Sequence, residues 1–205
     1  QDSYFSDVDP KLQVILLGAT GSGKSASGNI ILNKKVFKSY ASTQSVTLSY
    51  QTASATVNGM EVTVVDTPGW HCTKISEDEV ASQIKTAILS LNGPYAFLLV
   101  FPIGSFTAKE MLMIPKLHKV LGEQFMNHTS ILFTQKDDLE DKDIEGFIKE
   151  NTELDGLLKM YDKRYHALNN KDIEDQTQVN QLLEKISDIY HKNKVSYLQY
   201  HTLQI

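Results

Sequence analysis

At 205 residues, 41% apolar and 22% charged, the chain is sized and composed for one domain with a substantial hydrophobic core. Its formal net charge of −5 carries no run of like charge, which argues against nucleic acid as a partner. The single cysteine, Cys72, cannot close an internal disulfide and fits a reducing, cytoplasmic compartment, and no apolar run approaches the ~20 residues that span a bilayer. A start at Gln1 with no secretory pattern fits a piece of a longer chain.

Residues 12–17 are nearly all apolar and end in a glycine, the pattern of a strand buried on both faces. A helix is expected over 24–32, then a polar, Ser/Thr-rich loop over 35–47. Two strands, about 48–57 and 61–66, flank Asn58-Gly59, a hairpin signal. Val80, Ile84, Ala87, Ile88 and Leu91 recur at helical spacing over 77–91. Residues 95–101 form another buried strand, followed by a helix over 107–121 with Thr107 and Glu110 as a capping box. A strand at 130–134, helical stretches at 142–150 and 153–161, and a short strand near 165–168 follow. The last segment, about 176–198, places Val179, Leu182, Leu183, Ile186, Ile189 and Tyr190 on one stripe, an amphipathic helix read as a core contributor. Strands alternating with helices predict a three-layer α/β domain with a mostly parallel sheet and one antiparallel edge hairpin. It is read as one domain over 1–205, with a core of about 12–172 and an additional C-terminal helix.

Gly18-Ala19-Thr20-Gly21-Ser22-Gly23-Lys24-Ser25 matches G-x-x-x-x-G-K-[ST] in full, after a buried strand and before a helix. Glycines let such a loop curl so that backbone N–H groups, here from Gly21 through Ala26, converge on phosphate oxygens. The Lys24 ammonium is expected at the β- and γ-phosphates, and the Ser25 hydroxyl on Mg²⁺. The predicted strand 62–65 delivers Asp66 to the same edge, where a carboxylate holds Mg²⁺ through its water shell. In Thr67-Pro68-Gly69, the Gly69 N–H is a γ-phosphate donor; a plain surface turn is the alternative. The second Mg²⁺ ligand is sought in the 35–47 loop, with Thr47 first and Thr43 and Ser45 as competitors. Lys24, Thr47 and Gly69 are the residues placed nearest the reaction.

Base choice comes from Gln135-Lys136-Asp137-Asp138, which follows a buried strand and has the N-K-x-D spacing. A carboxylate at Asp138 accepts both the N1–H and the N2 amino proton of guanine, whereas adenine offers no such pair. An acidic helix start is the competing reading.

These residues resemble the immunity-associated GTPases (the GIMAP family), in the septin- and Toc-related branch of P-loop GTPases. The resemblance runs from about 12 to 190. It rests on Gly18–Ser25 with Ala26-Ser27-Gly28-Asn29-Ile30-Ile31-Leu32, and on Asp66-Thr67-Pro68-Gly69. It continues through Phe97–Phe106 with Thr107-Ala108-Lys109-Glu110, Lys136-Asp137-Asp138-Leu139 and Leu168-Asn169-Asn170-Lys171. It implies a Ras-like G domain with extra helices, GTP or GDP with Mg²⁺, a role in immune cells and nucleotide-dependent homodimers or oligomers. Membrane association, at the cytosolic face of intracellular membranes, would come through further segments or through assembly. By position, Phe37 and Ser39 would flank ribose and base, and Asn170 or Asn169 would close over the guanine. Gln135 stands where many GTPases carry an Asn that braces the P-loop. Members often carry Arg after the Ile103-Gly104 pair, a candidate arginine finger in a dimer; here the residue is Ser105.

Hydrolysis needs a positioned water and charge neutralisation at the transferring phosphoryl group. Trp70 follows Gly69, where Ras-like enzymes place the water-orienting Gln, and an indole with one N–H donor cannot replace it. His71 is read as a solvated loop residue ahead of a water-orienting one. An arginine finger is worth ~10³–10⁵ in rate, and Arg164, the only arginine in the chain, reads as a salt bridge or fold contact. The expectation is a slow GTPase switch with turnover near ~10⁻⁴–10⁻² s⁻¹; the alternative is a non-hydrolysing scaffold that binds GTP or GDP. An ATP-using P-loop enzyme stands third.

Overall fold

Strand order β2-β3-β1-β4-β5-β6 makes one six-stranded sheet from β1 (Lys11–Gly18), β2 (Gln51–Val57), β3 (Met60–Asp66), β4 (Ala96–Pro102), β5 (Thr129–Thr134) and β6 (Tyr165–Ala167). The structure is a computed structural model that describes residues 11–38, 49–106 and 108–202, with only the backbone described for Ser105, Lys109, Gln124 and 193–202. Five strands run parallel, and β2 alone pairs antiparallel with β3 across the Asn58-Gly59 turn. The helices are α1 (Lys24–Leu32), α2 (Glu77–Ser90), α3 (Ala108–Leu121), α4 (Ile144–Glu150), α5 (Thr152–Met160) and α6 (Gln176–Thr202).

Continuous apolar strands bury both faces, and the alternation of side chains along each strand divides the core in two. Ile15, Leu17 and Val65 face α2, α3 and α5 with Val80, Ile84, Met113, Leu117 and Leu157. Leu12, Val14, Leu16 and Val64 face α1 and α6 with Ile31, Leu182, Leu183 and Ile186. The α2 and α6 stripes are therefore core. Tyr190 fastens α6 to the sheet, its hydroxyl donating to the Gln13 carbonyl and accepting from the Gln13 N–H.

Boundaries shift modestly from the sequence reading. β2 begins at Gln51, and α6 runs on to Thr202. α2 starts at a Ser76 cap that accepts from Glu79 N–H at 3.1 Å, with Glu77, Asp78 and Glu79 in its first turn complementing the helix dipole. The Thr107 half of the α3 capping box lies outside the described residues, as do Ser39, Thr43, Ser45 and Thr47.

Candidate functional site

Parallel strands end on a common edge, so their C-terminal loops converge there. Gly18 pairs in register with Val100, Leu16 with Asp66, Pro102 with Thr134 and Phe133 with Ala167. This register brings the P-loop, the Asp66 turn and the loops after β5 and β6 to one rim.

At the phosphate end, Gly21 and Gly23 take φ of 80° and 94°, a left-handed backbone that side chains resist. A Cβ on Gly23 would also meet the Thr134 side chain at 3.2 Å. Lys24 is buried, and its Nζ donates to the carbonyls of Gly18 at 3.2 Å and Ala19 at 2.9 Å. Burial lowers its pKa to about 8, against the opposing pull of Asp66 and Cys72. A desolvated ammonium held by two neutral carbonyls retains a donor and a charge for an anion, and the phosphate of a nucleotide fits that need. Beside it, Ser25 Oγ donates to Asp66 Oδ2 at 2.5 Å. A hydroxyl and a carboxylate in contact are hard oxygen donors, the set that suits Mg²⁺.

The P-loop is also zipped to the turn after β3. Trp70 N–H donates to Gly18 O at 2.8 Å, Thr20 N–H donates to Trp70 O at 2.9 Å, and Ala19 and Trp70 form a parallel bridge. Gly69 is pressed on Thr20: a Cβ there would fall 2.6 Å from the Thr20 backbone. The Trp70 ring is buried at 3% exposure in the cluster with Ile15, Val65 and Ile84.

At the base end, Lys136, Asp138 and Gln135 are exposed on the turn that follows β5. Asn170 Oδ1 accepts from Gln135 N–H at 3.3 Å, and its Nδ2 donates to Ser27 Oγ at 3.3 Å, joining this turn to α1. Asn169 faces the other way. It exchanges backbone bonds with the Gln178 side chain, and its Oδ1 accepts from Lys171 N–H. Of the two alternatives, Asn170 is thus the one turned toward α1 and the base turn. Lys171 pairs with Asp137 at 2.5 Å, and this bond lowers the Asp137 pKa and raises that of Lys171. Gly104 lies against the base turn, since a Cβ placed on it would fall 3.6 Å from Asp138 Oδ2. The turn containing Ser105 therefore belongs to this end.

Phe37, expected beside ribose and base, is 5% exposed and packed against α1 and the sheet. With Ala26 and Asn170 it lines one wall of a cavity of about 770 Å³. A second cavity, of about 780 Å³, runs along the β6 edge beside α6 and includes none of Gly18–Ser25.

Arg164 adjoins the Asn169-Asn170 loop in sequence, yet β6 carries it to the opposite rim. Its Nε donates to Thr129 O at 2.9 Å, its second terminal nitrogen donates to Met126 O, and it pairs with Asp162 at 3.0 Å. It locks the starts of β5 and β6. A brace on the P-loop comes from the residue before Gln135: Thr134 Oγ1 donates to Ser22 O at 2.8 Å. Thr67 Oγ1 likewise donates to Leu16 O at 2.6 Å. A buried hydroxyl at a strand end was the signal for both, and nothing in spacing distinguishes it from an ordinary core threonine.

Residues 12–204 match the AIG1 family. The chain is 36% identical over 190 residues to GTPase IMAP family member 8 of Rattus norvegicus, covering 90% of this chain and 27% of that protein. It is 30% identical over 199 residues to Immune-associated nucleotide-binding protein 9 of Arabidopsis thaliana, covering 93% of this chain and 58% of that one. The chain thus spans about a quarter to just over half the length of these relatives. Its fold is similar to that of Toc33 from Arabidopsis thaliana solved with Mg²⁺ and GMPPNP, with a TM-score of 0.69, 17% identity, and 89% and 85% of the two chains covered.

Proposed function

The chain belongs to the AIG1 family, and on that premise we propose that it is a guanine-nucleotide-binding domain that takes GTP or GDP with Mg²⁺, hydrolyses GTP slowly alone and acts as a nucleotide-controlled, self-assembling switch. One observation carries the reading. A buried Lys24 and the Ser25–Asp66 pair share a rim with the exposed Lys136 and Asp138, which supports one ligand spanning both.

In this reading the loop amides of Gly21–Ala26 and Lys24 bind the phosphates, and Ser25 and Asp66 hold the metal, with Thr47 proposed as the remaining ligand. When bound, Mg²⁺ neutralises charge on the phosphates during transfer. Gly69 offers its N–H to the γ-phosphate. Asp138 accepts from the guanine edge, Lys136 lines the base, and Asn170 closes over it from the last loop.

Slow turnover follows from Trp70 and Arg164. The indole is in the core and its backbone is committed to the P-loop, so this position supplies no water-orienting group. Arg164 is engaged on the far rim. Dimerization is important for the GTPase activity of Toc33; we extend that dependence to this chain, a partner supplying the missing charge. Among the described residues no helix is long and apolar enough to cross a membrane, and attachment at the cytosolic face of an intracellular membrane is proposed through assembly or further segments.

The burial of Trp70 also favours a second reading, a GTP- or GDP-binding scaffold without turnover. The discriminating experiment is GTP hydrolysis per molecule against protein concentration, with Mg²⁺ and a Lys24→Ala control. A rate that climbs with concentration supports the assembling switch. A flat rate at the limit of detection beside tight guanine-nucleotide binding supports the scaffold.

A further inference from the structure

Asn29 lies on α1 four residues beyond Ser25, and its side chain reaches forward along the chain. Its Oδ1 accepts from Val36 N–H at 3.1 Å and from Phe37 N–H at 2.8 Å, while its Nδ2 donates to Phe37 O at 2.8 Å. One amide side chain thereby holds both polar groups of the Phe37 backbone and the N–H before it. The neighbouring Gly28 completes the receptor. A Cβ on Gly28 would sit 2.9 Å from two Phe37 ring carbons, so the ring rests directly on the α1 backbone. Glycine is a poor residue for a helix interior, and this close approach accounts for it.

Phe37 is buried and is among the residues lining the cavity shared with Ala26 and Asn170. Asn170 in turn bonds the Gln135 amide of the base turn. The Asn29 staple therefore sets where the wall of the base end stands, without itself belonging to the phosphate or base machinery.

We infer that Asn29, seated beside Gly28, is a positioning residue for nucleotide retention: through Val36 and Phe37 it holds the base-side wall in place, so that bound nucleotide leaves slowly. This rests on the guanine-nucleotide reading above. A wall ordered before the ligand arrives spares the ligand that ordering cost. Its loss is felt mainly in dissociation, where most affinity differences between related complexes lie.

The test is release of a fluorescent GDP from wild type, Asn29→Ala and Gly28→Ala, together with hydrogen exchange at the Val36 and Phe37 amides. Asn29→Ala is expected to speed release by about tenfold or more, with association within about twofold and both amides losing protection. Gly28→Ala, which displaces the ring by a different route, shifts release in the same direction. Asn29→Asp turns an acceptor toward the Phe37 carbonyl in place of the donor, so it also speeds release; it serves if the alanine variant does not fold. Release at the wild-type rate from Asn29→Ala overturns the inference, as does faster release with both amides still protected. A wild-type protein that retains no guanine nucleotide overturns the functional reading itself, an outcome distinct from either.

Discussion

The two ends of the candidate site are built by different means. The phosphate end is contiguous: eight residues from Gly18 to Ser25, zipped by backbone bonds to the Gly69-Trp70 turn and braced by Thr134. The base end is assembled from three distant segments, joined by the side chains of Asn170, Lys171 and Asn29. A backbone-built site depends on glycines and close approach. A side-chain-built one depends on amides and ion pairs, with an amide hydrogen bond worth about 1 kcal/mol, and should come apart in smaller steps.

Four outcomes would sharpen or break that contrast. The largest belongs to Lys24→Ala, expected to weaken nucleotide binding by roughly 10²–10³ through loss of charge-assisted bonds. Because Lys24 is desolvated, the same change should leave the melting temperature of the free protein unlowered; a marked drop would show Lys24 to be structural. Next is Gly69→Ala. Its methyl has no room against the Thr20 backbone, so we expect a loss of about 1–3 kcal/mol in denaturant unfolding, together with weakened binding. Wild-type stability would mean that the zip is easily opened.

At the base end, Asn170→Ala removes the bonds to Gln135 and Ser27 and should cost about tenfold in GDP affinity with little change in folding. A fall as large as that of Lys24→Ala would erase the proposed difference between the ends. The last is a pH dependence confined to β6, away from both ends of the site. Lys185 Nζ lies 3.1 Å from His166 Nδ1 and can only donate, so Nδ1 accepts and Nε2 carries the proton that goes to Gln178 O at 2.8 Å. Burial first, then Lys185, lowers the His166 pKa to about 4. The folded state therefore refuses a proton that the unfolded chain takes up below about pH 6.5. Stability from this group is full above about pH 6.5 and is lost as pH falls toward 4, by about 1–3 kcal/mol. Unfolding of wild type and His166→Gln between about pH 7 and 4.5 should show a shallower fall in the variant; parallel curves would show that His166 does not carry the effect.

The same contrast explains what was legible in the sequence. A cradle made by backbone needs glycines at fixed offsets, so the P-loop, the Asp66 turn and the strands beneath them could be read from spacing and apolar runs. The α2 and α6 stripes were legible as core because helical periodicity reports burial directly. Side-chain joints across long separations leave no such trace. Nothing around Thr134 marks it as the brace of Ser22, nothing near Phe37 announces that its ring rests on Gly28, and the difference between Asn169 and Asn170 lies in a loop whose shape Gln178 sets. Arg164 shows the limit of adjacency: β6, though three residues long, carries it from the rim where sequence neighbourhood would put it. The segment with Ser39 and Thr47 lies outside the described residues, so Ser39 beside the ribose and Thr47 on the metal both remain proposals.

The most direct test of the central claim is equilibrium binding of GDP and ADP, with Mg²⁺, to wild type and Asp138→Asn. Wild type is expected to prefer GDP by at least about 10³, because a carboxylate paired with two guanine donors discriminates strongly. In Asp138→Asn the preference should shrink by about 10² or more, with melting unchanged since Asp138 is exposed. Equal affinity for ADP in wild type, or an undiminished GDP preference in the variant, would contradict it.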